Sequence, residues 1–213
     1  MHPIPLHIRT SFARFLYRQP TSSLDIRRLN VFLNAITETK RLETPIVEVG
    51  AFLCGTSSLA VKFMSLSGDR RRYFSVDTFS GFTDNDLTED IALGLVIKER
   101  NAFRSNSIEF VKKLLSVWQT ENLVNLVQSD ISTLNVSSLG ETFSLVLVDT
   151  DLYYPVLKSL EKFHSRMEPG GIILVDDCES NGPWPGARLA LETFCKSFNV
   201  SYTLNGGLAQ IKY

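Results

Sequence analysis

The chain reads as an α/β fold, with a mainly parallel, seven-stranded sheet covered on both faces by helices and closed by a C-terminal antiparallel hairpin. Three observations carry that reading. Short β-branched runs alternate with helical periodicity along most of the 213 residues. The runs at 143–149 and 172–176 are almost wholly apolar, the pattern of parallel strands buried on both faces. Asn205-Gly206-Gly207 separates two final strand-like runs, 200–204 and 208–213, as a hairpin turn does.

The elements follow in order. Leu24, Leu29, Phe32, Leu33 and Ile36 share helical spacing over 22–40, after the capping-type residues Thr21-Ser22-Ser23, and define the main helix of an N-terminal helical cap over 1–42. Pro45 opens a strand at 46–50, and from about Thr56 a helix carries Leu59, Ala60, Phe63 and Met64 on one face. The next strand is 72–77. Residues 78–106 are polar, cluster Asp84, Asp86, Glu89 and Asp90, and read as an excursion or lid. A helix at 107–119 and strands at 123–129 and 143–149 come next. Leu152, Val156, Leu157, Leu160, Phe163 and Met167 then mark a helix with Pro155 in its first turn, stopped by Pro169-Gly170-Gly171. Its length suits a crossover between parallel strands. After the strand at 172–176, Ala187, Ala190, Leu191, Phe194 and Phe198 outline the last helix.

Composition sets the class. With 44% hydrophobic and 21% charged residues, the sequence is that of one soluble globular domain spanning 1–213. A net charge of −1 offers no electrostatic footprint for nucleic acid, and Arg70-Arg71-Arg72 reads as a solvated turn. Cys54, Cys178 and Cys195 are odd in number and lack CxxC spacing, and no signal peptide precedes them. A reducing, cytoplasmic setting is therefore expected, without disulfides or zinc. No apolar stretch approaches the ~20 residues of a membrane span.

Chemistry enters where strands end in acids. Val148-Asp149-Thr150-Asp151 and Val175-Asp176-Asp177-Cys178 close two successive apolar runs. Ligands of open parallel sheets bind beyond the carboxyl ends of the strands, so these carboxylates can converge on a hard cation, Mg²⁺ or Ca²⁺. Upstream, Val47-Glu48-Val49-Gly50 turns into Ala51-Phe52-Leu53-Cys54-Gly55-Thr56-Ser57-Ser58. Gly50 frees the turn, and Gly55 to Ser58 lies where a helix N-terminus offers N–H groups. The spacing is not GxGxxG, and Glu48 inside the strand would repel a pyrophosphate and attract an ammonium. Asp77, ending the next strand, can accept two hydrogen bonds from a ribose diol. The expected ligand is a nucleoside carrying an amino acid.

These residues resemble the class I S-adenosylmethionine-dependent methyltransferases, and among them the metal-dependent O-methyltransferases of macrolide and aminocoumarin sugars, the macrocin and mycinamicin group. The likeness covers most of the chain. It is strongest at Val47 to Ser58, at Val76-Asp77-Thr78-Phe79-Ser80-Gly81-Phe82, and from Val148-Asp149-Thr150-Asp151-Leu152-Tyr153 through Pro169-Gly170-Gly171 to Asp176-Asp177. It implies a Rossmann-like fold and transfer of a methyl group to a hydroxyl of a small molecule such as a natural-product sugar. By position it assigns Gly50, Gly55 and Ser57, with Glu48, to the methionine moiety, Asp77 to the ribose, and Asp149, Asp176 and Asp177 to Mg²⁺ or another divalent cation. A homo-oligomer is compatible with it. Catechol O-methyltransferase is similar more distantly, but its expected lysine is Leu152 here, which speaks against a lysine base; the resemblance implies that Asp149 doubles as general base, with Asp151 the other candidate.

Each candidate has a structural competitor. Glu48 could pair with a buried arginine, Asp77 could cap a turn, and Asp151 is the preferred N-cap of the helix starting at Leu152. Asp130 meets adenine or forms an Asx turn. Trp184 walls an acceptor pocket or packs a turn, and Arg188 steadies the acids or is a surface charge. His164 reads as a surface or half-buried helix residue. Two other activities fit parts of the pattern. One is a catechol- or phenol-type O-methyltransferase, and the other is a metal-dependent glycosyltransferase using Asp149-Thr150-Asp151.

Overall fold

The computed structural model describes residues 4–95 and 103–213. Its strands are β1 (Ile46–Val49), β2 (Tyr73–Asp77), β3 (Val124–Gln128), β4 (Phe143–Val148), β5 (Met167–Val175), β6 (Thr203–Asn205) and β7 (Leu208–Lys212). They form one sheet in the order β3-β2-β1-β4-β5-β7-β6, parallel from β3 to β5 and antiparallel at β7 and β6. The helices are α1 (Leu6–Ser11), α2 (Ala13–Leu16), α3 (Ile26–Thr39), α4 (Gly55–Leu66), α5 (Asp84–Ala92), α6 (Ile108–Trp118), α7 (Tyr153–His164) and α8 (Pro185–Phe198).

Strand alternation divides the core in two. Ile46, Leu145, Leu147, Ile172 and Leu174 face one layer, built from Phe32 and Ile36 of α3, Ala60 and Met64 of α4, and Phe110 and Leu114 of α6. Val47, Val49, Val146, Val148, Ile173 and Val175 face the other, with Val156, Leu160 and Phe163 of α7 and Leu191 and Phe194 of α8. Every residue of β1 and β4 is buried. That is why these strands read as largely apolar runs, with Glu48 and Ser144 as their buried polar exceptions.

The chain leaves β1 toward β2 and β3, then returns to place β4 on the other side of β1. Strand order reverses there, so a crevice opens beyond the carboxyl ends of β1 and β4. Register lines up the residues at its floor. Val49 pairs with Val76 and with Val148, and Val148 pairs with Val175. Gly50, Asp77, Asp149 and Asp176 therefore emerge at one level.

Several expectations need correction. Asp25, not Thr21-Ser22-Ser23, caps α3, its carboxylate accepting from the backbone N–H groups of Arg27 and Arg28. α7 ends at His164, and Pro169-Gly170-Gly171 lies inside β5. Gly170 N donates to Tyr213 O at 2.7 Å and Tyr213 N donates to Gly171 O at 3.0 Å, so the distant C-terminus supplies the pairing that makes these residues a strand. Nor is the Arg70-Arg71-Arg72 turn fully solvated. Arg71 is buried against Asp69 at 2.6 Å and also donates to Thr39 Oγ1, Ser144 Oγ and Ile36 O. The polar excursion contains α5, capped by Thr83, while its residues 96–102 lie outside the described residues. Among the described residues no helix is long and apolar enough to cross a membrane.

Candidate functional site

A cavity of about 320 Å³ occupies the crevice and is lined by Gly50, Asp77, Asp130, Asp149, Asp151, Asp176 and Asp177, with Ser23 and Arg28 from the N-terminal segment. Its size lies at the lower end of the ~300–1,000 Å³ typical of small-molecule sites. Phe82, Phe103 and Trp184 wall one side. The Phe82 ring stands edge-on to Trp184 and to Phe103, with centroids 5.4 Å apart in each pair.

The turn after β1 is shaped by close approach. Gly50 has φ +92°, and a Cβ there would lie 1.9 Å from Asp149 O, so only glycine lets the turn pass the end of β4. Asp77 organises the same turn, accepting from Phe52 N at 2.8 Å through one oxygen and from Phe79 N at 2.6 Å through the other. Burial raises its pKa, against those backbone hydrogen bonds. The turn-capping role and a place on the cavity thus coexist in one side chain.

Glu48, Gly55 and Ser57 do not line the cavity. Glu48 is fully buried behind the turn and accepts from Ser57 Oγ at 2.5 Å and Tyr73 OH at 2.7 Å. No arginine pairs with it among the described residues. Burial pushes its carboxyl up to about 7, with the two hydroxyls opposing the rise. A Cβ on Gly55 would meet Thr21 O at 1.9 Å, so this glycine lets the N-terminal segment close over α4. Asp130 lines the cavity and also forms the Asx turn, accepting from Ser132 N at 2.7 Å.

The acids at the ends of β4 and β5 converge. Asp149, Asp151 and Asp177 each offer a carboxylate oxygen within 4.8 Å of the others. Opposed oxygens around Ca²⁺ are about 4.6–5.2 Å apart, so this all-oxygen donor set fits a hard cation. Both Asp151 (φ +64°) and Asp177 (φ +55°) adopt the left-handed conformation, tolerated by aspartate and concentrated at functional sites. Burial and then the neighbouring carboxylates hold the pKa of Asp149 and of Asp151 well above the carboxylate range. Negative charge is in excess here, with Arg28 the one cation among the described lining residues of the cavity.

Asp151 is not the helix cap. α7 starts at Tyr153, and Asp90 of α5 takes the cap, accepting from Tyr153 N at 3.1 and 3.2 Å. Asp176 stands apart from the three-acid cluster and is bound by Arg28. Arg28 Nη1 reaches Asp176 Oδ1 at 2.8 Å and Asp177 Oδ1 at 3.1 Å. Burial, then Asp177, raises Asp176 to about 6, and Arg28 works against both. Sequence reading missed Arg28, whose partner is 148 residues away. Arg188 pairs with Glu192 at 2.7 Å on the surface of α8, and His164 Nδ1 is 2.9 Å from Tyr213 OH, away from the cavity. The three cysteines are free and buried.

Comparison with known proteins matches the chain to a family. The profile of the TylF macrocin-O-methyltransferases covers residues 20–206. Among solved structures, the O-methyltransferase NovP is similar with a TM-score of 0.70 at 17% identity, over 97% of both chains. The calicheamicin methyltransferase CalS11 is similar with a TM-score of 0.67 at 18% identity, over 100% of this chain and 95% of that one. An O-methyltransferase from Bacillus cereus in complex with SAH has a TM-score of 0.58 at 14% identity, over 100% and 93%. No curated protein sequence matches the chain. The chain belongs to the macrocin-O-methyltransferase family and is an S-adenosylmethionine-dependent O-methyltransferase of the class I, Rossmann-like fold.

Proposed function

We propose that this enzyme methylates a hydroxyl of a natural-product sugar in a reaction that depends on a divalent cation. The observation that carries the cation is the convergence of Asp149, Asp151 and Asp177 at the reversal of strand order. Support for a sugar comes from the macrocin family and from CalS11, described as a TDP-rhamnose 3'-O-methyltransferase. The family match weighs against a glycosyltransferase reading of Asp149-Thr150-Asp151. Free buried cysteines accord with a cytoplasmic setting.

The donor supplies a methyl group already activated on a sulfonium, so the protein's task is to align and deprotonate the acceptor. Positioning of this kind can contribute about 7–11 kcal/mol. Asp77 and Asp130 face the cavity where the nucleoside would lie, and Gly50 leaves room for it. Asp149, Asp151 and Asp177, with Asp176 beside them, would hold the cation, which would supply Lewis acidity and a template for the acceptor oxygen. In the transfer, the acceptor oxygen bonds to the methyl carbon, the carbon–sulfur pair stays on sulfur, and the hydroxyl proton passes to Asp149.

The test combines calorimetric binding of S-adenosylhomocysteine with methyl transfer to sugar and catechol acceptors, with and without EDTA. Asp177→Asn should remove most turnover while S-adenosylhomocysteine affinity stays within a few-fold. Undiminished turnover in that variant or in EDTA would remove the cation from the reaction, and preference for catechols would overturn the sugar reading.

A further inference from the structure

The cavity that gathers the acids also contains a cation of the chain's own. Arg28 stands in the first turn of α3, where the Asp25 cap fixes the start of the helix. Its guanidinium bonds Asp176 and Asp177 through Nη1, while Nη2 lies 3.5 Å from Glu179 Oε2. The C-terminal hairpin shapes this reach. A Cβ on Gly207 would lie 2.8 Å from Arg28 Nε and 3.3 Å from Arg28 Cγ. The Nε is buried without a hydrogen-bond partner, so carboxylate charge, not a full set of hydrogen bonds, holds the group in place. Glu179 is the most exposed of the three acids, at 46% against 7% and 10% for Asp176 and Asp177.

We propose that Arg28 is a positioning residue that governs cation loading: its guanidinium and an incoming divalent ion compete for Asp176 and Asp177, and loading turns Arg28 toward Glu179. The inference rests on the cation-dependent reading above. Asp177 belongs both to the three-acid cluster and to the Arg28 ion pair, so one carboxylate cannot satisfy both cations fully. Arg28 also keeps a positive charge beside the cluster. By linkage, whatever the guanidinium gains from the acids is subtracted from ion affinity, and the ion weakens the Arg28 contact by the same factor. A residue that merely propped up the fold would act in the opposite direction, since its loss would disorganise the ligands and weaken binding.

Mn²⁺ alone is the probe, titrated into the full-length protein, with unbound ion followed by electron paramagnetic resonance and folding checked by circular dichroism. Arg28→Met should bind Mn²⁺ about 5- to 150-fold more tightly than the parent, the usual range of coupling between linked sites. Arg28→Lys, which keeps the charge, should fall between them. Glu179→Gln, on an exposed position that leaves the fold intact, should weaken Mn²⁺ binding severalfold, and this effect should vanish when combined with Arg28→Met. Equal or weaker binding by Arg28→Met, or a Glu179→Gln effect that persists without Arg28, overturns the proposal while parental Mn²⁺ binding still stands for the cation reading. Should Arg28→Met not fold, an unchanged affinity in Glu179→Gln overturns it equally. Absence of Mn²⁺ binding from every variant removes the cation reading, and this inference with it.

Discussion

At the level of single residues, Glu48 inside β1 and Gly50, two positions later at the turn, illustrate opposite constraints. Gly50 has no room for a side chain, because its Cβ would sit within 1.9 Å of Asp149 O and its φ is +92°. Gly50→Ala should lose at least about 1–3 kcal/mol from backbone strain alone, and the clash should also displace Asp149. Urea unfolding and S-adenosylhomocysteine titration should both report it, the latter as roughly a tenfold weakening for each 1.4 kcal/mol lost at the site. Glu48, by contrast, tolerates its position at a cost that depends on pH. The unfolded chain gives up this proton near the ordinary value of 4.5, whereas burial keeps it on the folded protein up to about 7. The folded state thus binds more protons in that window, and stability falls as pH rises from about 4.5 to about 7. At about 1.4 kcal/mol per unit, the whole span is about 3 kcal/mol. Glu48→Gln should therefore gain on the parent as pH is raised from about 5 to about 8 in denaturant titrations, and parallel curves would show that burial does not hold the proton.

Between elements, the junction of α5, α7 and α8 is built around Asp90. Its carboxylate caps α7 at Tyr153 N, and a Cβ on Gly186 of α8 would lie 2.5 Å from Asp90 Oδ2. Asp90→Ala should cost about 0.5–2 kcal/mol, the usual loss for an N-cap, with faster hydrogen exchange across α5 than across β4. Unchanged exchange would mean that α5 is anchored elsewhere, through Leu87 against Leu152 and Trp184. This junction also shows where local reading fails. Asp151 precedes the helix as a capping residue should, yet the cap is supplied by a carboxylate 63 residues earlier in the chain. Freed from that duty, Asp151 turns into the acidic cluster. Met167 misleads for a similar reason, since it continues the helical spacing of α7 but pairs with Phe143 as the first residue of β5.

Across the whole molecule, the features legible in the sequence are those that local pattern encodes: apolar strand runs, the glycine turn after β1 and acids at strand ends. Register does the rest, bringing Gly50, Asp77, Asp149 and Asp176 to one level without any signal in their spacing. Arg28 could not be read at all, because an arginine in a first helical turn has no local mark of a partner 148 residues away. On the cation-dependent reading proposed above, the same convergence should make stability of the whole fold depend on ions. Asp149, Asp151, Asp176 and Asp177 share one crevice with Arg28, and mutual repulsion among buried carboxylates disfavours the folded state when nothing else balances them. A divalent ion that binds only the folded protein should stabilise it by about 2.7 kcal/mol at a hundredfold excess over Kd. For a chain of this length, that corresponds to a rise in Tm of about 5–11 °C. Differential scanning calorimetry with Mg²⁺, Ca²⁺ or Mn²⁺ should show such a rise, reversed by EDTA. It should be absent with NaCl at matched ionic strength, because screening by monovalent salt reaches buried charges weakly. Asp177→Asn removes one member of the cluster and should flatten the response to divalent ions. An equal divalent-ion shift in parent and variant would place the ion elsewhere on the protein and detach the strand-end acids from it.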